Sequence, residues 1–68
     1  MKMRTTIKEL RARYDLTQDQ LAAIVGVSRR TMLYLEKGAY NPSLFLAAKV
    51  AKTLHSTIEE VFLIEEGD

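Results

Sequence analysis

The sequence predicts an all-α domain of five short helices, with a small two-stranded antiparallel ribbon made from its two ends. Three observations carry this prediction. Threonines recur with a Glu or Gln three residues later, as helix-starting capping boxes require: Thr6 with Glu9, Thr17 with Gln20, and Thr57 with Glu60. After each such start, apolar residues return every three or four positions, the period of a helix with one buried face. Gly26, Gly38 and Pro42 then stand where that periodicity breaks.

The first helix runs from Ile7 to about Tyr14 and places Ile7, Leu10 and Tyr14 on one face. The second begins behind Thr17 and runs from Gln18 to about Val25, with Leu21, Ala22 and Val25 turned inward; Gly26 supplies the left-handed residue that ends it. Ser28 is the N-cap of a third helix that continues to about Lys37, with Met32 and Leu35 inward and Gly38 as its stop. Val27 is expected to plug the core beneath the turn. In Tyr40-Asn41-Pro42-Ser43, Pro42 suits a first helical position and either Asn41 or Ser43 a cap. They open a fourth helix to about Leu54, whose apolar stripe reads Leu44, Ala47, Ala48, Ala51 and Leu54. Thr57 starts one more turn, through about Phe62. Phe62-Leu63-Ile64 is too apolar for a free tail, and we expect it to be extended and paired with Met1 to Arg4.

The chain has 68 residues, 47% of them hydrophobic, which fits one domain spanning residues 1–68, near the lower size for an unaided apolar core. Without cysteine there is neither a disulfide nor a thiolate metal site, so stability has to come from helix packing and from a partner subunit; a homodimer is expected. No signal-peptide core follows Met1-Lys2-Met3-Arg4, and no apolar run nears the roughly 20 residues of a membrane span, so a cytoplasmic protein is expected. The length leaves no room for a small-molecule effector domain. The net charge of +1 conceals an asymmetry. Residues 1–52 hold all ten Lys and Arg against four acidic residues, whereas residues 53–68 hold five acidic residues and no Lys or Arg. A basic body with an acidic end suits a protein that lays one face on phosphates, although charge alone fits a solvated surface equally well.

Residues 18–37 read as two short helices joined by a tight turn at Gly26, with the small Ala22 where a close crossing needs it. This is the helix-turn-helix arrangement, in which the second helix projects its N-terminal side chains onto base edges of the major groove. Arg29 and Arg30 stand at those projecting positions, and Arg can donate two hydrogen bonds to guanine. Tyr34, one turn on, can add a phosphate bond or pack on a thymine methyl.

The sequence resembles the Cro/C1-type phage-repressor superfamily, also called the XRE family. The resemblance rests on Leu16-Thr17-Gln18-Asp19-Gln20-Leu21-Ala22, Val25-Gly26-Val27-Ser28-Arg29-Arg30-Thr31, Glu36-Lys37-Gly38 and Tyr40-Asn41-Pro42-Ser43-Leu44. It covers nearly the whole chain, and Thr57 to Phe62 is similar to the end of the compact single-domain members. It implies a five-helix phage-repressor-like domain that binds double-stranded DNA as a symmetric dimer and regulates transcription. It further implies that Gln18 touches the DNA from the start of the second helix, and that Arg29, Arg30, Thr31 and Tyr34 occupy base-reading and phosphate-contacting positions. Tyr40 and Asn41 fall in the loop that such proteins lay on phosphates. The candidate DNA-binding residues are therefore Gln18, Ser28, Arg29, Arg30, Thr31, Tyr34, Lys37, Tyr40 and Asn41.

Two positions depart from the family pattern: Leu33 and Phe45 are apolar where outward polar residues are common. Leu33 suits thymine methyls and Phe45 a subunit interface, but single exposed apolar residues also occur without consequence. His55 is the only histidine and has no ligand partners at metal-binding spacing; it reads as a helix-end residue. The pairs Glu59/Glu60 and Glu65/Glu66 accompany no nucleophile, and no glycine-rich phosphate loop is present, so neither an enzyme nor a cofactor is expected. Of the methionines only Met32 is expected in the core. The leading expectation is a regulator, a repressor by preference, bound to a near-palindromic operator with its two recognition helices about 34 Å apart. The competing one is an interaction module, an antitoxin or adaptor, that uses Phe45 and the C-terminal apolar run to hold a protein.

Overall fold

A computed structural model describes residues 2–66 of the chain. Its elements follow the order β1 (Lys2–Thr5), α1 (Ile7–Arg13), α2 (Gln18–Val25), α3 (Arg29–Glu36), α4 (Leu44–Thr53), α5 (Ile58–Val61) and β2 (Phe62–Glu65). These are the five helices and the two-stranded antiparallel ribbon that the sequence predicts. Among the described residues no helix is long and apolar enough to cross a membrane.

The helix starts follow the side-chain chemistry of their caps. The hydroxyls of Thr17, Ser28, Ser43 and Thr57 each accept the backbone N–H three residues on, so each helix begins with one of its orphan donors satisfied. At Thr17 and Thr57 the reciprocal bond is also made, from the cap's own N–H to the side chain of Gln20 or Glu60. Thr6 differs from expectation. Its hydroxyl makes no cap bond to α1 and donates instead to the carbonyl of Glu60, 2.7 Å away, while its N–H donates to the carbonyl of Val61. Thr6 therefore ties the start of α1 to α5, and a long-range partner has displaced the local one.

Four helix ends share one device. The N–H of Leu16, Val27, Ala39 and Ser56 each reaches back to the carbonyl five residues earlier, across a residue of positive φ at Asp15, Gly26, Gly38 and His55 respectively. His55 is thus a helix-end residue, as expected, and its ring packs on Tyr14 with centroids 4.9 Å apart. Tyr14 is the residue that follows α1, and it is half exposed on that ring rather than turned inward with Ile7 and Leu10, which are buried.

The core gathers Ile7 and Leu10 from α1, Leu21, Ala22 and Val25 from α2, Met32 and Leu35 from α3, Ala47, Val50, Ala51 and Leu54 around α4, then Val61 and Phe62. Burial of side chains as large as Ile7, Leu21, Met32, Leu35 and Leu54 contributes about 1.5–3 kcal/mol each against the chain's ordering entropy. Val27 packs against this cluster, as does Met3, which the sequence did not place there. Along α4 the stripe differs from the expected one: Leu44 and Ala48 are exposed and Val50 takes the inward position. The cap is Ser43, so Pro42 stands ahead of the helix and not within its first turn.

The ribbon pairs Lys2 with Glu65, Met3 with Ile64, Arg4 with Leu63 and Thr5 with Phe62. It therefore uses Lys2 to Thr5 on the N-terminal side; Met1, included in the expected strand, lies outside the described residues. A lone two-stranded ribbon is marginal in water, and here Phe62 anchors one end in the core while the Thr5 hydroxyl donates to the carbonyl of Glu36 at the end of α3.

Candidate nucleic-acid interface

The residues that leave the core untouched on α3 form one face. Met32 and Leu35 are fully buried, which turns Arg30, Leu33, Tyr34 and Lys37, at spacings of three, four and seven, toward solvent. Arg29, one residue before that row, is also exposed. Gly26 fixes the turn that precedes the helix with φ 83°, and Val27 beneath it closes the corner against the core.

Ser28 directs the tip of this helix. Its Oγ accepts the N–H of Thr31 at 3.1 Å and donates to the Thr31 hydroxyl at the same distance, so both side chains are committed to the first turn. Arg29 carries its guanidinium 3.5 Å from the Asp19 carboxylate of α2, with 74% of the side chain exposed. An exposed pair of this kind is worth ~0–1 kcal/mol, so it tethers Arg29 without fixing it. Tyr34 is 41% exposed on the same face. Beyond the helix, Tyr40 and Asn41 lie exposed in the loop that follows the Gly38 turn.

Gln18 stands at the first turn of α2, half buried, and its Nε2 donates to Oε1 of Glu36 at 3.2 Å. The same carboxylate holds Arg11 from α1 with two bonds, from Nε at 2.6 Å and Nη2 at 3.2 Å, and Arg11 Nη1 donates to the carbonyl of Leu16. This cluster links three helices, and the sequence reading missed it. Arg11 and Glu36 are 25 positions apart, and each looks like an ordinary charge on an amphipathic helix until the fold brings them together.

The structure thus gathers Arg29, Arg30, Thr31 and Tyr34 on α3, with Ser28 at its N-cap and Lys37 at its C-cap. Gln18 joins them through Glu36, whose own helix carries the row. Leu33 lies in the row and lines a cleft together with Lys8, Arg11, Gln18, Glu36 and Lys37. Phe45 lies elsewhere, exposed on α4 with the Lys49 ammonium 5.3 Å from its ring centre. The C-terminal apolar run is divided: Phe62 is core, Leu63 half buried, and only Ile64 exposed.

Residues 7–61 match the family model described as helix-turn-helix. An uncharacterized HTH-type transcriptional regulator of Archaeoglobus fulgidus is 53% identical over 66 residues, covering 97% of this chain and 93% of that protein. The cryptic phage CTXphi transcriptional repressor RstR of Vibrio cholerae is 38% identical over 55 residues, 81% of this chain and 50% of that one. Among solved structures, the restriction-modification controller protein C.AhdI of Aeromonas hydrophila superposes with a TM-score of 0.70 at 33% identity, covering 79% of this chain and 82% of that one. With the fold, the outward basic helix and these likenesses in agreement, the chain belongs to the Cro/C1-type helix-turn-helix family of DNA-binding transcriptional regulators.

Proposed function

We propose that this regulator is a repressor that binds a near-palindromic operator as a homodimer, each subunit laying α3 in the major groove. The observation that carries the reading is the division of α3 between a fully buried Met32/Leu35 face and a solvent face of Arg29, Arg30, Leu33, Tyr34 and Lys37. Arg29 and Arg30 read bases at the N-terminal end of the helix, where a bidentate bond to guanine discriminates by ~1–3 kcal/mol. Leu33 and Tyr34 meet thymine methyls or sugar edges one turn further on. Ser28 and Thr31 act by holding the first turn, and Gln18, Lys37, Tyr40 and Asn41 bond to phosphates on either side of the groove, setting the register.

Repression is supported by the similarity to RstR, whose name describes a repressor. A dimer is supported by the small core, and on a two-fold operator it would set the recognition helices about 34 Å apart. Residues 1–68 act as one domain in the cytoplasm, and the reading needs no cofactor, effector or enzymatic step. The alternative, a protein-binding module, draws on the exposed Leu44 and Phe45. Of its expected surface, Phe62 is taken by the core and Leu63 is half buried.

Selection of bound sequences from random duplex DNA tests the proposal. The expected product is an inverted repeat with half-sites one helical turn apart, ~10–10.5 base pairs between centres, or a multiple of that. Enrichment of no sequence, or of one unrepeated half-site, contradicts the dimeric operator reading.

A further inference from the structure

We propose that Arg11 and Glu36 are positioning residues for DNA binding: their ion pair orients the Gln18 amide so that the cleft between α1, α2 and α3 receives a backbone phosphate. The inference rests on the reading of Gln18 as a phosphate contact and adds what makes that contact possible.

Glu36 is nearly enclosed, with 9% of its side chain exposed against 15% for Arg11. A carboxylate only accepts hydrogen bonds, so Gln18 has to turn its NH2 toward Glu36 and its carbonyl oxygen away. A phosphate also only accepts. One N–H of the amide is taken by Glu36 and the other is left over, so Gln18, which lines the cleft, keeps a donor for a phosphate that enters it. Among the described residues the Gln18 side chain makes no further hydrogen bond.

A lone carboxylate at this place would repel the phosphate it helps to bind. Arg11 removes that objection, because its two bonds to Glu36 bring a full positive charge onto the same carboxylate. The pair is neutral as a unit, and Lys8 and Lys37 on the cleft walls leave the opening net positive. The bond from Arg11 to the carbonyl of Leu16 holds the guanidinium from the other side, so the ordering of Gln18 is built from three helices and one loop.

The test compares affinity for the selected duplex, at one salt concentration, among the parent protein, Gln18→Ala, the paired variant Arg11→Met with Glu36→Leu, and all three substitutions together. The paired variant keeps the net charge and replaces a buried ion pair by apolar side chains of similar volume, a change that folded proteins often tolerate. Gln18→Ala is expected to weaken binding about five-fold per half-site, the usual worth of one hydrogen bond, and the paired variant by a similar factor. The combined protein should then lose no more than either alone. Losses that multiply, or an unchanged affinity in the paired variant beside a weakened Gln18→Ala, overturn the positioning role. An unchanged affinity in Gln18→Ala overturns the phosphate reading itself, and the positioning role with it.

The unsubstituted protein supplies a second readout that needs no variant to fold. The side-chain NH2 protons of Gln18 should appear in the free protein as a dispersed pair with nuclear Overhauser effects to the Arg11 side chain. A pair at the random-coil position with no such effects contradicts an amide ordered before DNA arrives.

Discussion

Gly38 lies directly against the backbone of Met3: a methyl group on its α-carbon would overlap the Met3 carbonyl oxygen. The residue that ends the recognition helix is thus also the residue on which the terminal ribbon rests. Gly38 has φ 73°, so a side chain there meets both backbone strain and a collision with main-chain atoms that cannot rotate away. Gly26 shares the strain, with φ 83°, but a methyl group there would meet only the Lys49 ammonium at 3.9 Å.

The two glycines should therefore respond unequally to alanine. Gly26→Ala is expected to cost about 1 kcal/mol, lowering Tm by about 4–8 °C in a domain of this size. Gly38→Ala should cost about 3 kcal/mol or more and detach the ribbon as well. Thermal unfolding followed by circular dichroism compares them; equal losses contradict the contact between Gly38 and Met3.

Ser28→Ala removes the acceptor for the Thr31 N–H and the donor to the Thr31 hydroxyl. We expect a stability loss of about 1 kcal/mol, with Ser28→Asp restoring it through the same cap bond. Urea unfolding of the three proteins measures this, and an unrescued Asp variant would show that the cap is not the reason for the loss.

Arg29→Ala and Arg30→Ala should each weaken specific binding by ~1–3 kcal/mol and relax preference at one base position, with Tm little changed because both side chains are exposed and the Arg29–Asp19 pair is solvent-facing. Competition binding with singly altered operators reads both effects. A uniform loss on all sequences would move that arginine from base reading to phosphate contact.

Much of this fold was legible in local sequence, and the exceptions share a cause. The bounds of α2 were read directly because Thr17, Gln20 and Gly26 act on their own backbone neighbours. Ser28 likewise placed the start of α3, and Met32 and Leu35 its buried face. Thr6 carried the same local signal as Thr17, yet its hydroxyl was claimed by a carbonyl 54 residues away. Along α4, Leu44 and Ala48 are apolar like Val50, which took the inward position, so hydrophobic identity alone could not say which face α2 would cover. The outward row on α3 was legible for the same reason as its buried face. The Arg11, Glu36 and Gln18 cluster was not, because ion pairing between helices depends on how they pack.

Salt should govern the complex. If the dimer makes ~6–10 phosphate contacts, raising salt from about 50 to 200 mM weakens binding by ~10³–10⁵. Fluorescence anisotropy across that range gives the slope, and a shallow one argues against a charged face on the duplex.

The most direct test is a nuclear magnetic resonance titration of the ¹⁵N-labelled chain with its selected duplex. The account predicts that the largest shift changes fall on residues 28–34, with further changes at Gln18, Lys37, Tyr40 and Asn41, and little at Phe45 or Ile64. Changes centred on Phe45 and Ile64, with residues 29–34 unmoved, would contradict it.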